Sequence, residues 1–219
     1  NSVFGKLLIG LEYVFARKGP MTMGASQLCG FAKSDATKDT PNLQFHIQPI
    51  STDKLGGANL HDFHAFTPTV ANIRPTSRGE ITINSSDSRV NPKIKMNYLS
   101  TDEDRKVAAD GIKLIRKIVM ETNEFKKYEP EEFRPGSHLN DKEEIVKACS
   151  HYAQTIFHPV GTCKMGNDEL AVVSDKLKVR GLNKLRVIDA SIMPNITSGN
   201  TNAPTIMIAE KGADMILSS

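Results

Sequence analysis

Over 3–16 the apolar residues recur at helical spacing, with Phe4, Leu7, Leu8, Leu11, Val14 and Phe15 on one side. Lys18-Gly19-Pro20 closes that helix with a cation, a glycine and a proline. Over 21–31 the period is lost, and the small and soft residues Met21, Met23, Gly24, Ala25, Cys29 and Gly30 read as a loop. From 43 to 49 the period becomes two, which predicts a strand with Gln44, His46 and Gln48 on a wet face. Further strands are expected over 66–72, 80–84 and 93–98. The breaks between them are Gly56-Gly57, the turn cluster Arg74-Pro75-Thr76-Ser77-Arg78-Gly79, and Asn91-Pro92. Short neighbouring strands joined by turns imply an antiparallel sheet.

Helical spacing returns over 100–121, with Val107, Ile112, Ile115, Ile118 and Val119 on one side and Asp102 and Glu103 in the first turn. A charged, proline-punctuated linker follows over 129–136. Another helix, capped by Asn140, is expected over 141–152. Past Phe157 the texture changes: glycine and small residues rise and charge falls near the motifs. Residues 185–188 read as a buried strand. A last helix starts with Pro204 as its first residue and runs to about Leu217, with its first turn apolar nearly all round and hence buried.

Composition narrows this to a globular α+β chain. Of its 219 residues 39% are hydrophobic and 24% charged, which is neither a disordered nor a membrane composition. Apolar runs such as Ile206-Met207-Ile208-Ala209 are far too short to span a bilayer. A net charge of +3 with no basic stripe and no Trp gives no nucleic-acid footprint. Three cysteines, at 29, 149 and 163, form neither a metal-like pair nor a disulfide framework. His61 and His64 stand in an H-x-x-H pattern, but no third ligand is near in sequence, and no metal is expected. The first residue is Asn and no signal peptide follows, so the chain reads as a piece of something longer.

Three stretches carry the candidate chemistry. His158 is followed by Pro159, which fixes a backbone angle, and by Gly161 and Thr162, which permit close approach to a ligand. A histidine held beside a hydroxyl can take its proton; a lone histidine can equally be a satisfied core residue. The helix start at Pro204 presents unpaired N–H groups and partial positive charge, suited to an anionic group. Asn202, just before it, both donates and accepts, and can also be a plain cap. Asp189, at the end of the expected strand, can bond a sugar-like chain, with Ala190 and Ser191 letting the backbone reach phosphates; a structural cap is the other reading.

The order and spacing of three pieces resemble the C-terminal part of the glucose–methanol–choline (GMC) oxidoreductases. They are His158-Pro159-Val160-Gly161-Thr162-Cys163-Lys164-Met165-Gly166, Leu185-Arg186-Val187-Ile188-Asp189-Ala190-Ser191, and Gly199-Asn200-Thr201-Asn202-Ala203-Pro204-Thr205. Earlier pieces, among them Lys18-Gly19-Pro20-Met21-Thr22 and Tyr98-Leu99-Ser100, look most like the insect glucose dehydrogenase branch. The resemblance implies an antiparallel-sheet substrate domain with helices over 1–153. It also implies the C-terminal part of an FAD-binding α/β (Rossmann-like) domain over 154–219. It puts the catalytic base on His158 and the second catalytic position, which orients the hydroxyl oxygen, on Asn202. It places Asp189 and Ala190 near the FAD ribityl and pyrophosphate, and the helix start at Asn202, Pro204 and Thr205 near the flavin pyrimidine ring.

The implied reaction is oxidation of a CH–OH group of a small-molecule alcohol or sugar, with hydride passing to the flavin and a quinone or oxygen as acceptor. The compartment is set by nothing in the sequence; only the resemblance points outside the cell. No G-x-G-x-x-G occurs in the chain, so it carries the catalytic pair and the substrate wall without the main FAD cradle. It is therefore expected to hold FAD weakly and to be inactive by itself. A truncated, non-catalytic binding protein of the same descent is the competing reading.

Overall fold

The computed structural model describes residues 3–24, 26–53 and 59–218. The expected features at Ala25 and at Gly56-Gly57 lie outside the described residues. Helix α1 spans Val3–Ala16 and a 3-10 turn follows at Pro20–Thr22. Then come strands β1 (Leu28–Ala32), β2 (Leu43–Gln48), β3 (Thr67–Asn72), β4 (Glu80–Thr82) and β5 (Lys93–Lys95). Helices α2 (Asp102–Glu121), α3 (Asn123–Lys126), α4 (Lys142–Tyr152) and α5 (Asn202–Leu217) complete the order, with a 3-10 turn at Ala190–Ile192 before α5. Helices with antiparallel sheets make the fold α+β, as the hydrophobic pattern implies. Among the described residues, no helix is long and apolar enough to cross a membrane.

Two compact units divide the chain: Asn1–Ala71 with Asp110–Glu131, and Asn72–Ala109 with Glu132–Ser219. In the first, the sheet order is β1-β2-β3, with β1 antiparallel to β2 and Gly30 opposite Phe45. Strand β1 falls where a loop was expected. Leu28 and Phe31 are exposed, so its strand state comes from pairing with β2 rather than from a buried pattern of its own. Strand β2 is central, which corrects the expected wet face. Gln44 is only 1% and Gln48 9% exposed. Gln44 is tolerated there because its side chain is hydrogen-bonded, one contact running to Cys29 Sγ at 3.4 Å. Gly111 of α2 meets Val70 and Leu43: a Cβ there would lie 3.1 Å from Val70, so the missing side chain lets the helix settle on the sheet.

In the second unit β4 and β5 pair antiparallel, with Ile81 opposite Ile94. Thr101 caps α2, its hydroxyl accepting from Asp104 N at 3.2 Å. Asp104, 4% exposed, gathers the turn 74–79 around itself. Its carboxylate accepts from Thr76 N and Ser77 N, both at 2.9 Å, and from Asn72 Nδ2 at 3.2 Å. Helix α4 is capped by Asp141, not Asn140, since Asp141 Oδ2 receives Glu143 N at 2.8 Å.

The core of this unit is Val173, Leu177, Ile192, Met193 and Ile208, with Val160, Val187, Ile188 and Met215 packed against it. Each such side chain contributes roughly 1.5–3 kcal/mol on burial. The stretch 185–188 is not the expected strand. It pairs only through an isolated bridge between Lys178 and Arg186, and no ladder forms along it among the described residues. The first turn of α5 is likewise not buried as expected: Asn202 and Ala203 are exposed and Pro204 and Thr205 half-buried, and in the next turn Ile208 is buried but Ile206 is 54% and Met207 60% exposed. The core cluster covers only the Ile208 side of the helix.

Candidate active site

Gly161 makes the first connection of the site. Its φ of +89° lies in the left-handed region, and a Cβ there would sit 3.4 Å from the Met193 carbonyl oxygen. The chain after it runs alongside 191–192, with Cys163 N donating to Ser191 O at 3.0 Å and Met165 N to Ile192 O at 2.8 Å. The histidine motif and the Asp189-Ala190-Ser191 motif are thereby tied backbone to backbone. Val160, Ile192 and Met193 anchor both in the core.

The second connection is made by the histidine ring. Half-buried His158 places Nδ1 2.9 Å from Thr201 Oγ1 and Nε2 2.9 Å from Asn200 Nδ2. Thr201 N also points at Nδ1, at 3.3 Å. Two neutral tautomers meet these contacts. With Nδ1–H donating to the Thr201 hydroxyl, Nε2 accepts from the Asn200 amide as it is oriented. With Nε2–H, Nδ1 accepts from Thr201 N and from the Thr201 hydroxyl, and the Asn200 amide turned over accepts from Nε2. The first tautomer leaves Nε2 basic, the state a base requires.

The other residues singled out from sequence fall close by. Asn202 is the first residue of α5 and exposed; its neighbours Asn200 and Thr201 contact the ring. Pro204 is the third residue of the helix rather than the first, a difference of no consequence to the backbone because all the first N–H groups lack helical partners. Thr205 closes the turn, donating its hydroxyl to Thr201 O at 2.6 Å and its N–H to the same oxygen at 3.0 Å. Asp189 caps the short turn that follows it, its Oδ1 accepting Ser191 N at 2.8 Å, and Ala190 opens that turn half-buried. Arg78, from the turn that Asp104 holds, donates to Asn195 Oδ1 and so fixes the segment leading to Asn200.

Sequence reasoning missed Asn200 and Thr201. The signal was present in Gly199-Asn200-Thr201-Asn202, where three polar side chains in a row reach the helix start. A hollow of about 390 Å³ also adjoins the site, lined by Met96, Tyr98, Thr155, Phe157 and Pro159. Two of its walls are the sequence neighbours of His158.

A hydroxyl that takes the place of the Asn200 amide at Nε2 can give its proton to the imidazole. At the start of α5, Asn202 and Ala203 are exposed ahead of the first helical hydrogen bond, so an accessible helix N-terminus stands ready for a group that carries or develops negative charge.

Comparison with known proteins gives a consistent picture. A family model described as GMC oxidoreductase matches residues 75–209. The chain is 44% identical over 211 residues to an alcohol dehydrogenase [acceptor] of Pseudomonas putida, covering 96% of this chain and 38% of the relative. It is 42% identical over 208 residues to an oxygen-dependent choline dehydrogenase of Proteus mirabilis, covering 95% of this chain and 37% of the relative. The chain thus spans less than two fifths of the length of these curated relatives. Its fold resembles that of an arginine-to-alanine variant of formate oxidase from Aspergillus oryzae RIB40, solved to follow FAD modification. The TM-score is 0.85 at 26% identity, over 97% of this chain and 41% of that one.

Proposed function

The chain belongs to the GMC oxidoreductase family, whose members bind FAD, and on that premise we propose that it is the C-terminal, substrate-side portion of an FAD-dependent oxidoreductase acting on a CH–OH group. The substrate class is a small-molecule alcohol or sugar. Residues 1–153 supply the substrate wall, and 154–219 the C-terminal part of the FAD-binding domain with the catalytic residues. A nearer affinity to the insect glucose dehydrogenase branch rests on the motifs alone and is part of this proposal.

The observation that carries the reading is the His158 ring pinned between Thr201 and Asn200. His158 Nε2 receives the substrate hydroxyl proton, with Nδ1–H already committed to Thr201 Oγ1. The second hydroxyl-orienting position remains on Asn202, where the resemblance puts it, and Asn200, whose amide lies 2.9 Å from Nε2, is a positioning residue for the ring. Asn202, Pro204 and Thr205 then belong to the helix start, whose partial positive charge suits a reduced flavin. Asp189 and Ala190 lie on the turn that would meet the ribityl and phosphate portion. Bound FAD would supply the hydride acceptor, a chemistry that no side chain of this chain provides.

The test is flavin reduction in the intact flavoenzyme. His158→Ala should slow it by about 10² or more. Asn202→Ala should lower the rate more than it lowers FAD content. Near-normal reduction by His158→Ala at saturating substrate would sink the base role. Loss of FAD with normal turnover per flavin in Asn202→Ala would count against its orienting role.

A further inference from the structure

We infer that Arg78 is a positioning residue for the reaction: through Asn195 it holds the segment 194–201, and with it Asn200 and Thr201, in register with the His158 ring. The inference rests on His158 being the base, and it deepens that reading by a residue outside the ring's own contacts.

The turn that carries Arg78 is fixed from several sides. Buried Asp104 accepts from Thr76 N and Ser77 N, both at 2.9 Å. Ser77 Oγ accepts Ser100 N, and the Arg78 carbonyl accepts Asn97 Nδ2, both at 3.0 Å. A Cβ on Gly79 would lie 2.3 Å from the Lys95 carbonyl oxygen, so the chain passes β5 at a distance that only glycine allows. The guanidinium is held as well as the backbone. Its Nη1 donates to Pro75 O at 2.9 Å and to Ser77 O at 3.0 Å, and Nη2 donates to Asn195 Oδ1. Because the fork is planar and rigid, bonds on one nitrogen fix the direction of the other.

The segment at the other end of this bond has little else to hold it. Met193 N closes its turn on Ala190 O, and Thr205 N bonds Thr201 O. Between them, among the described residues, the backbone of 194–199 bonds to no other backbone group, and Ser198 stands at φ +62°, uncommon outside glycine. Yet this segment must deliver two contacts, Asn200 Nδ2 and Thr201 Oγ1, each 2.9 Å from a His158 nitrogen. The bond from Arg78 is charge-assisted and is, among the described residues, the one side-chain hydrogen bond made to 194–199. A misplacement of about 1 Å at a group that orients the reacting atoms can cost about 10²-fold in rate. A segment that loses this anchor but keeps Met193 and Ile208 in the core should lose less, about 10-fold.

The experiment uses the intact flavoenzyme with FAD bound. It reads the ¹⁵N signals of the His158 ring, assigned by their loss in His158→Asn, and the rate of flavin reduction by whichever of choline, benzyl alcohol, 1-butanol and glucose reduces it fastest. Arg78→Ala should move the ring signals and lower the limiting rate about 10-fold, with KM and FAD content little changed. Asn195→Leu, at an exposed position, should do the same without touching the turn, and the double variant should be no slower than either single one. Asn195→Asp keeps an acceptor for Arg78 and should keep both the rate and the signals. Ring signals unmoved in both Arg78→Ala and Asn195→Leu would overturn the inference, as would losses that add in the double variant. So would a lower melting midpoint in Arg78→Ala beside a normal rate in Asn195→Leu, the pattern of a turn that only stabilises the fold. Moved ring signals together with a normal rate in His158→Ala support the positioning by Arg78 and remove the base role instead.

Discussion

Thr201→Val tests the geometry on which the base role depends. The substitution keeps the shape and β-branching of the side chain and deletes one acceptor, the hydroxyl 2.9 Å from His158 Nδ1. Thr201 is 7% exposed, so water does not readily replace it. The cap itself should survive, because Thr205 bonds to the backbone oxygen of residue 201. Losing the hydrogen bond disfavours the Nδ1–H tautomer by about 0.5–1.5 kcal/mol, and stranding a partly buried donor adds roughly 1 kcal/mol or more. At 1.4 kcal/mol per tenfold, the ratio of Nδ1–H to Nε2–H should fall by about 10-fold or more. The backbone N–H of residue 201, at 3.3 Å, then becomes the dominant contact and favours the same change. The assay is ¹⁵N NMR of the ring nitrogens in the neutral imidazole, where protonated and unprotonated nitrogens separate widely. Among the six histidines the signal is assigned by its loss in His158→Asn. Thr201→Ser keeps the acceptor and should keep the wild-type pattern. An unchanged tautomer ratio in Thr201→Val would refute the reasoning outright.

Two further substitutions test the packing that carries the site. A Cβ at Gly212 of α5 would lie 2.5 Å from Ile188 Cγ2, so Gly212→Ala should cost about 1–3 kcal/mol in overpacking against at most ~1 kcal/mol gained in helix propensity. Thermal melting should show a lower midpoint, partly restored by adding Ile188→Ala; a raised midpoint would rule out the close approach. At Asp104, burial raises the carboxyl pKa, but hydrogen bonds from Ser77 and Thr76 outweigh it and hold the pKa below the usual range. A depressed folded pKa means stability present above the unfolded value of about 3.9, lost as pH falls through the folded one. Asp104→Asn should therefore cost roughly 1–3 kcal/mol at neutral pH and flatten the stability loss below about pH 4, read by denaturant titrations at both pH values. An unchanged acid slope would show that Asp104 is not the group responsible.

Helix α1 was legible to the residue because a period of 3.6 needs no knowledge of neighbours, and α2 and α4 were displaced by only one or two positions at their starts. Strand β1 was not legible because Cys29-Gly30-Phe31 has no strand pattern of its own; its conformation is lent by the ladder with β2. Stretch 185–188 failed for the converse reason. Leu185-Arg186-Val187-Ile188 has the composition of a strand, yet a strand is a property of a pair, and along this segment the pairing is a single bridge. The exposed apolar residues of α1 and of the first turns of α5 follow the same logic. Periodicity says that a face is apolar, not whether the residues in hand cover it.

The candidate site shows where such reading stops. His158 and the helix start are separated by more than forty positions; the expectation that they share a site came from the resemblance, and in the fold His158 Nδ1 lies 2.9 Å from the Thr201 hydroxyl that precedes the helix. Which asparagine faces the ring is a different kind of question. Asn202 opens α5, while Asn200 lies before the cap Thr201 and outside the helix, with its amide 2.9 Å from His158 Nε2. Composition treats the two as equivalent. Only the orientation imposed by the Thr201 contacts to Nδ1 and by the Arg78 bond to Asn195 separates them, and both depend on segments distant in sequence. The sequence thus tells which residue types meet, while the packing of distant loops decides which individual side chain reaches the imidazole.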